Sequence, residues 1–388
     1  MSLLRAPPLA LYVHMPWCVK KCPYCDFNSH GLRGEPPYAR YVETLLADLD
    51  ADRHDFGAAL EGRTITSVFF GGGTPSLFAP ELIARFLDGA RQRLPFAQAC
   101  EITLETNPGT VEHGRFDGYL AAGVNRISFG IQSFDDAKLK RLGRIHSADE
   151  AEAAVKSAQD AGLGNINLDL MYALPEQVLD GALADVERAV ALQPTHISHY
   201  QLTLEPNTVF AAHPPPLPDD DAAWAMQEAC EARLAAAGYA QYEISAYAQA
   251  GRRCQHNLNY WRFGDYLGLG AGAHGKLTDA GQGQVFRRWK VRHPNAYLEA
   301  GGSAGRIGGH AAVAADELPF EYMLNALRLI EGVPAAAFNE RTGLPLAQIA
   351  DRLAQGRQRG WLQTDPGQLG TTALGQRFLN DVIASFLD

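Results

Sequence analysis

The 388-residue chain is 46% apolar and 20% charged, with 38 glycines and 22 prolines, a mixture that builds a globular core and excludes a disordered or collagenous polymer. With 34 basic against 44 acidic residues its formal net charge is −10, which disfavours non-specific binding to nucleic acid or to an anionic membrane. No apolar run approaches the roughly 18 residues of a membrane span, and residues 1–11 carry no secretory apolar core, so a cytoplasmic location is expected.

Short β-rich runs alternate with amphipathic segments from the start. Strands are predicted at residues 9–15, 67–70, 101–105, 126–130, 165–171, 196–202 and 241–246. Helices are predicted at 38–52, 80–94, 148–161, 181–192 and 219–237, where apolar residues recur at three-to-four spacing. Such βα repetition builds a parallel sheet, and six or more units favour an α/β fold with a partial or full TIM-type (β/α) barrel over residues 1–250. Polar or glycine-rich stretches follow the first three strands: residues 16–25, Gly71-Gly72-Gly73-Thr74-Pro75 and Thr106-Asn107-Pro108-Gly109. Barrels place their chemistry at that rim.

Residues 251–300 are expected to extend the barrel. Gly301, Gly302, Gly305, Gly308 and Gly309 then predict a linker over 301–315. Beyond it, helices at 319–329, 335–341, 345–358 and 374–386, with strands at 361–364 and 368–372, predict a small, mainly helical, winged-helix-like domain over 316–388. That domain has nine acidic residues against six arginines and no lysine, so no nucleic-acid partner is expected.

Six cysteines in a large cytosolic chain suggest reduced thiols, metal ligands or core residues rather than disulfides. Cys18, Cys22 and Cys25 form a C-x3-C-x2-C loop directly after the first predicted strand, whereas Cys100, Cys230 and Cys254 are scattered and read as inert core thiols. Three thiolates from one loop can hold three corners of a 4Fe-4S cluster. The fourth iron is then open to chelate the amine and carboxylate of a ligand such as S-adenosylmethionine. A zinc site would need a fourth protein ligand, from His14, Asp26 or His30, and the spacing is not a common zinc form.

With Tyr24 completing C-x3-C-x-aromatic-C, the loop resembles the radical S-adenosylmethionine superfamily. Further segments are similar to the branch that holds the oxygen-independent coproporphyrinogen III oxidases and the heme chaperones. They are residues 12–18 (YVHMPWC), 71–76 (GGGTPS), 105–109 (ETNPG), 128–133 (SFGIQS), 141–146 (RLGRIH), 167–171 (NLDLM) and 268–274 (GLGAGAH). The resemblance implies an S-adenosylmethionine site. Tyr12 would lie against the cofactor at the end of the first strand, and Gly72, Gly73 and Thr74 would offer unobstructed backbone to the methionyl end. Arg144 would meet the carboxylate. Gln132 and Asp169 would bond the ribose, and Glu105 a ribose hydroxyl or the ammonium. A phosphate loop is disfavoured, since Gly-Lys-Ser/Thr is missing.

The oxidases carry a fourth cysteine two residues after the third, where this chain has Phe27. Residues 256–261, HNLNYW, instead resemble the H-N-x-x-Y-W motif of the heme chaperones. This implies heme held through His256, Asn257, Tyr260 and Trp261, with His256 as iron ligand and the aromatic faces stacked on the macrocycle. Arg252, Arg253, Arg287, Arg288, Lys290 and Arg292 would meet its propionates. His196 and His199 lie in one strand-like run, so at most one points into the barrel. The resemblance implies delivery of heme to a recipient protein, such as a respiratory membrane enzyme, by a monomer or dimer. The alternatives are a coproporphyrinogen oxidase or other tetrapyrrole-directed radical enzyme, and a regulatory module acting through its C-terminal unit.

Overall fold

The computed structural model of the chain describes residues 4–109 and 115–387. Six strands, β1 (Leu9–Met15), β2 (Ile65–Gly72), β3 (Phe96–Thr106), β4 (Arg126–Gln132), β5 (Ile166–Tyr172) and β6 (His196–Gln201), lie parallel and side by side in sequence order. Their near-continuous burial is what a parallel sheet covered on both faces requires. β6 does not close onto β1. Instead β7 (Ala240–Glu243) and β8 (Ala246–Ala248) extend the β6 edge, and β9 (Asp265–Leu269), β10 (His274–Asp279), β11 (Gln284–Lys290) and β12 (Ile307–Ala312) extend the β1 edge. The twelve-stranded sheet is therefore a partial barrel.

The crossover helices are punctuated as their residues dictate. α1 (Tyr38–Asp55) buries Tyr41, Val42, Leu45 and Leu49, and α2 (Pro80–Arg93) begins on a proline at its first position. α3 (Phe116–Ala122) stops at left-handed Gly123. α4 (Ala148–Asp160) starts from a reciprocal Ser147–Glu150 capping box, a feature that stabilises a helix by about 1 kcal/mol. α5 (Leu179–Ala191) and α6 (Asp220–Ala236) complete the layer, and α7 (Gln255–Trp261) carries the HNLNYW segment.

Three expectations are corrected. The strand predicted at 241–246 is not a further parallel member. It is an antiparallel hairpin that turns at Ile244-Ser245, where the Glu243 carboxylate accepts bonds from the Ser245 N–H and hydroxyl. The predicted linker at 301–315 holds a 3-10 turn and strand β12, paired antiparallel with β11. Its Arg306 is buried against Asp48 and Asp52 of α1. Strands β9 to β12 were not anticipated at all, because two of them carry lysines at buried positions. Lys276 is neutralised by Asp265 at 2.7 Å, and Lys290 by Asp48 and Asp52. Periodicity reads such lysines as solvent-facing.

In the C-terminal segment, helices at Leu318–Ala326, Ala335–Thr342 and Ala350–Gln358 form as expected. The ribbon shrinks to one bridge, Leu362 with Thr371, beside a pairing of Val333–Pro334 with Gln368–Leu369. The last helix breaks at Phe378. These helices share one core with the β7–β8 hairpin and α7: Tyr322, Met323 and Phe338 pack with Tyr242, Leu258 and Phe263.

Candidate functional site at the barrel rim

The cysteine loop leaves β1 and is fastened at both ends by backbone. The Gly73 N–H donates to the Met15 carbonyl (2.7 Å) and the Thr74 N–H to the Trp17 carbonyl (2.8 Å). The His30 N–H donates to the Pro16 carbonyl, and Trp17–Cys18 pairs with His30–Gly31. A Cβ at Gly73 would sit 2.5 Å from the Trp17 carbonyl oxygen and 2.7 Å from that of Met15, so only glycine permits this approach. Gly73→Ala is expected to cost about 1–3 kcal/mol of local strain and to displace the loop. Iron bound per chain after anaerobic reconstitution should fall well below wild type, and a variant that loads normally would contradict this account.

All six parallel strands deliver residues to one pocket at their C-terminal ends. Cys18, Cys22 and Cys25 face Gly72 and Gly73 after β2, Glu105 and Asn107 from β3, Gln132 from β4, Asp169 from β5 and Tyr200 from β6. The pocket encloses about 690 Å³ of free space, part of it open to solvent. Among the described residues no three His, Cys, Asp or Glu side chains gather about a single ion. His14, an expected candidate for a fourth zinc ligand, has both ring nitrogens engaged, by the Tyr12 hydroxyl (3.0 Å) and the Asn28 carbonyl (2.9 Å). Burial pushes the Cys18 and Cys25 thiols up, the state from which a metal displaces a proton on binding.

Around the sulfurs the predicted residues are tied into one network. Arg144 reaches the Cys22 sulfur (3.7 Å), the Asn107 side-chain oxygen (2.6 Å) and the Gly130 carbonyl, while its buried Nε has no partner among the described residues. Asn107 donates in turn to Thr74 Oγ1 (2.8 Å). Asp169 accepts from Asn167 (2.7 Å) and Ser128 (3.2 Å), and Asn167 is braced by His196 and Ser198. Glu105 accepts from the Gly72 N–H, and burial with Asp169 nearby pushes its carboxyl up to about 8. Gln132 ends β4 at φ +75°, a costly conformation for a non-glycine residue, and receives the Tyr200 hydroxyl at 2.9 Å.

Two expectations change here. The N–H groups of Gly72, Gly73 and Thr74 are all donated within the protein, so their backbone can offer a ligand only carbonyl oxygens. Tyr12 lies in the middle of β1, not at its end, and lines a neighbouring cavity instead of the cysteine pocket. Asn107, Asn167 and Tyr200 were not singled out, although Asn107 follows a predicted strand within the quoted ETNPG segment.

Comparison with known proteins matches residues 12–189 to the Radical SAM superfamily and residues 313–378 to the HemN C-terminal domain. The chain is 50% identical to the heme chaperone HemW of Escherichia coli over 99% of its own length and all of that protein's. It is 49% identical to HemW of Haemophilus influenzae, over 99% of both chains. This chain belongs to the HemW family of radical SAM proteins. The solved coproporphyrinogen III oxidase (HemN) of Escherichia coli superposes with a TM-score of 0.82 over 98% of this chain and 90% of that one. At 22% identity that likeness establishes the partial-barrel fold alone.

The segment that resembles the HemW family's H-N-x-x-Y-W motif proves to be a packing element. Glu101 of β3 accepts from the N–H groups of Gln255 and His256 and so caps α7. His256 is buried, stacks on Phe69 at 5.0 Å, and has Nδ1 on Ser67 (3.0 Å) and Nε2 on the Tyr260 hydroxyl (2.9 Å). Burial lowers its pKa to about 3. Both ring nitrogens of His256, the expected iron ligand, are thus engaged within the protein. Trp261 lies under Arg328 at 4.2 Å beside the C-terminal core, and neither it nor Asn257 lines either cavity. Tyr260 of the motif lines the neighbouring cavity. Most of the expected propionate cations are paired already: Arg253 with Glu331, Arg287 with Glu321, Arg288 with Asp52 and Asp55, and Lys290 with Asp48. His196 is held by Asn167 and Tyr242, and His199 is buried against Tyr172.

Proposed function

We propose that this chain binds heme and passes it to a recipient protein, holding a 4Fe-4S cluster on Cys18, Cys22 and Cys25 with S-adenosylmethionine beside it, and that it does not work as a coproporphyrinogen oxidase. The observation that carries the reading is the convergence of three cysteines with groups from all six parallel strands in one pocket. When bound, the cluster and S-adenosylmethionine supply one-electron chemistry at a sulfonium carbon. The residues present suit that ligand. Arg144, with an unpartnered Nε, offers charge for a carboxylate. Glycine carbonyls suit an ammonium, Gln132 and Asp169 suit a ribose diol, and Glu105 takes either hydroxyl or ammonium.

Heme enters from the name borne by the full-length relatives. The recipient belongs to the same proposal, as does a respiratory membrane enzyme in that role. Among the described residues no helix is long and apolar enough to cross a membrane. Phe27 is exposed at the mouth of the cysteine pocket and supplies no thiol there.

The test is anaerobic reconstitution followed by titration with S-adenosylmethionine and with hemin, read by EPR and optical spectra, then transfer to a heme-free respiratory protein. Expected are a perturbed cluster signal, one hemin per chain, and a heme-loaded recipient. Protoporphyrinogen formed from coproporphyrinogen III over many turnovers would replace this reading with the oxidase.

A further inference from the structure

A continuous chain of hydrogen bonds runs from the cysteine pocket to the start of helix α7. Asp169 of β5 lines the pocket, and both its carboxylate oxygens accept from within the protein: Oδ1 from the Asn167 amide at 2.7 Å and Oδ2 from the Ser128 hydroxyl at 3.2 Å. The Asn167 side-chain oxygen accepts from the Ser198 hydroxyl at 3.0 Å and meets Nδ1 of His196, the first residue of β6. His196 Nε2 meets the Tyr242 hydroxyl of β7 at 2.8 Å. That hydroxyl oxygen accepts from the N–H of Cys254, the N-cap residue of α7, at 3.3 Å.

The two ends of the chain fix the direction of every bond in it. A backbone N–H can only donate, and a carboxylate can only accept. The Tyr242 oxygen receives the Cys254 N–H, so its own hydrogen goes to His196 Nε2. Burial, with the Arg126 guanidinium close by, holds His196 far below its ordinary pKa, and the neutral ring carries its one proton on Nδ1. That proton goes to the Asn167 oxygen, which turns the amide nitrogen toward Asp169. Burial pushes the Asp169 carboxyl up, and Asn167, Arg126 and Ser128 oppose that shift. Arg126 is itself buried and has no ion pair among the described residues, so its charge is left to act on the groups around it.

We propose that His196 and Tyr242 are positioning residues for the S-adenosylmethionine site: the one-way chain they complete holds the Asp169 carboxylate with its unused lone pairs toward the ribose diol. The inference rests on the reading of Asp169 as a ribose ligand and deepens it. Neither His196 nor Tyr242 lines the pocket, and both act through Asn167. The two ends of an amide have nearly the same shape. Without a donor at its oxygen, the Asn167 side chain can turn over and present oxygen to oxygen at Asp169. A phenol far from the ligand thereby selects the imidazole tautomer, and the tautomer selects the amide's orientation.

Two measurements on the full chain test this. Nitrogen-15 NMR of histidine-labelled protein should show His196 protonated on Nδ1 and bare at Nε2, with His196→Gln assigning the signal, and Tyr242→Phe should change that tautomer. Titration of the cluster-loaded chain with S-adenosylmethionine, followed by EPR, should show affinity about three- to tenfold weaker in Tyr242→Phe and in His196→Gln. Tyr322→Phe is the control, because it removes a buried hydroxyl without a partner from the same core as Tyr242, and it should bind as wild type. Asp169→Asn should bind more weakly than wild type. If Asp169→Asn binds weakly while Tyr242→Phe keeps wild-type affinity and tautomer, and only melts earlier, the two residues are structural and the proposal falls while the ribose reading stands. A wild-type proton on Nε2 overturns the chain in the same way. Wild-type affinity in Asp169→Asn ends the ribose reading and this proposal together.

Discussion

Replacing Cys18, Cys22 and Cys25 together by alanine is expected to take iron from about four atoms per chain to essentially none after anaerobic reconstitution, with the cluster's absorbance and EPR signal gone. The effect should be confined to the site, because the loop is fastened by backbone. The Gly73 and Thr74 N–H groups hold Met15 and Trp17, and the His30 N–H holds Pro16, whatever side chains lie between. Tyr24 packs on Phe210. The cluster-free triple variant should therefore unfold within about 1 kcal/mol of cluster-free wild type. Cys100→Ala, which changes a buried thiol on β3, should retain wild-type iron. Equal iron in the triple variant and wild type would remove the cysteines from the site and the functional reading with them.

How much of this was legible depended on whether burial and polarity ran together. Most of the six parallel strands carry apolar residues at alternate positions, so their residues mark them out, and polar loops after the first three mark the rim. The cysteine spacing placed the loop, and the positions of Glu105, Gln132 and Asp169 on successive strands, with Arg144 in the connection after Gln132, predicted their meeting. Failures lie where charge is buried. Lys276, Lys290 and Arg306 read as solvent-facing residues and hid strands β10 and β11 and the turn into β12, because their partners Asp265, Asp48 and Asp52 are 11 to 258 residues distant in sequence. The bonds of His256 to Ser67 and Tyr260 were not legible either, because no local pattern reports a partner 189 residues away.

Asp48→Ala should be the most damaging single change outside the rim, lowering unfolding free energy by about 3–5 kcal/mol in urea titration. Three acids of α1, Asp48, Asp52 and Asp55, meet three cations, Arg288, Lys290 and Arg306. Asp48 takes the centre: it pairs with Lys290, accepts from Arg306 Nε at 2.8 Å, and receives the Tyr297 hydroxyl at 2.7 Å. Burial pushes its carboxyl up and Lys290 opposes that shift, so the charge is sustained by its partners. Removing it leaves Lys290 and Arg306 buried with two carboxylates in place of three, which costs far more than an exposed pair ever contributes. Asp48→Ala combined with Lys290→Met should recover at least about 1 kcal/mol relative to the sum of the single changes, since the uncompensated cation is gone. A loss below about 1 kcal/mol would mean that water already reaches these charges, and that the β11–β12 edge is held by its backbone ladder alone.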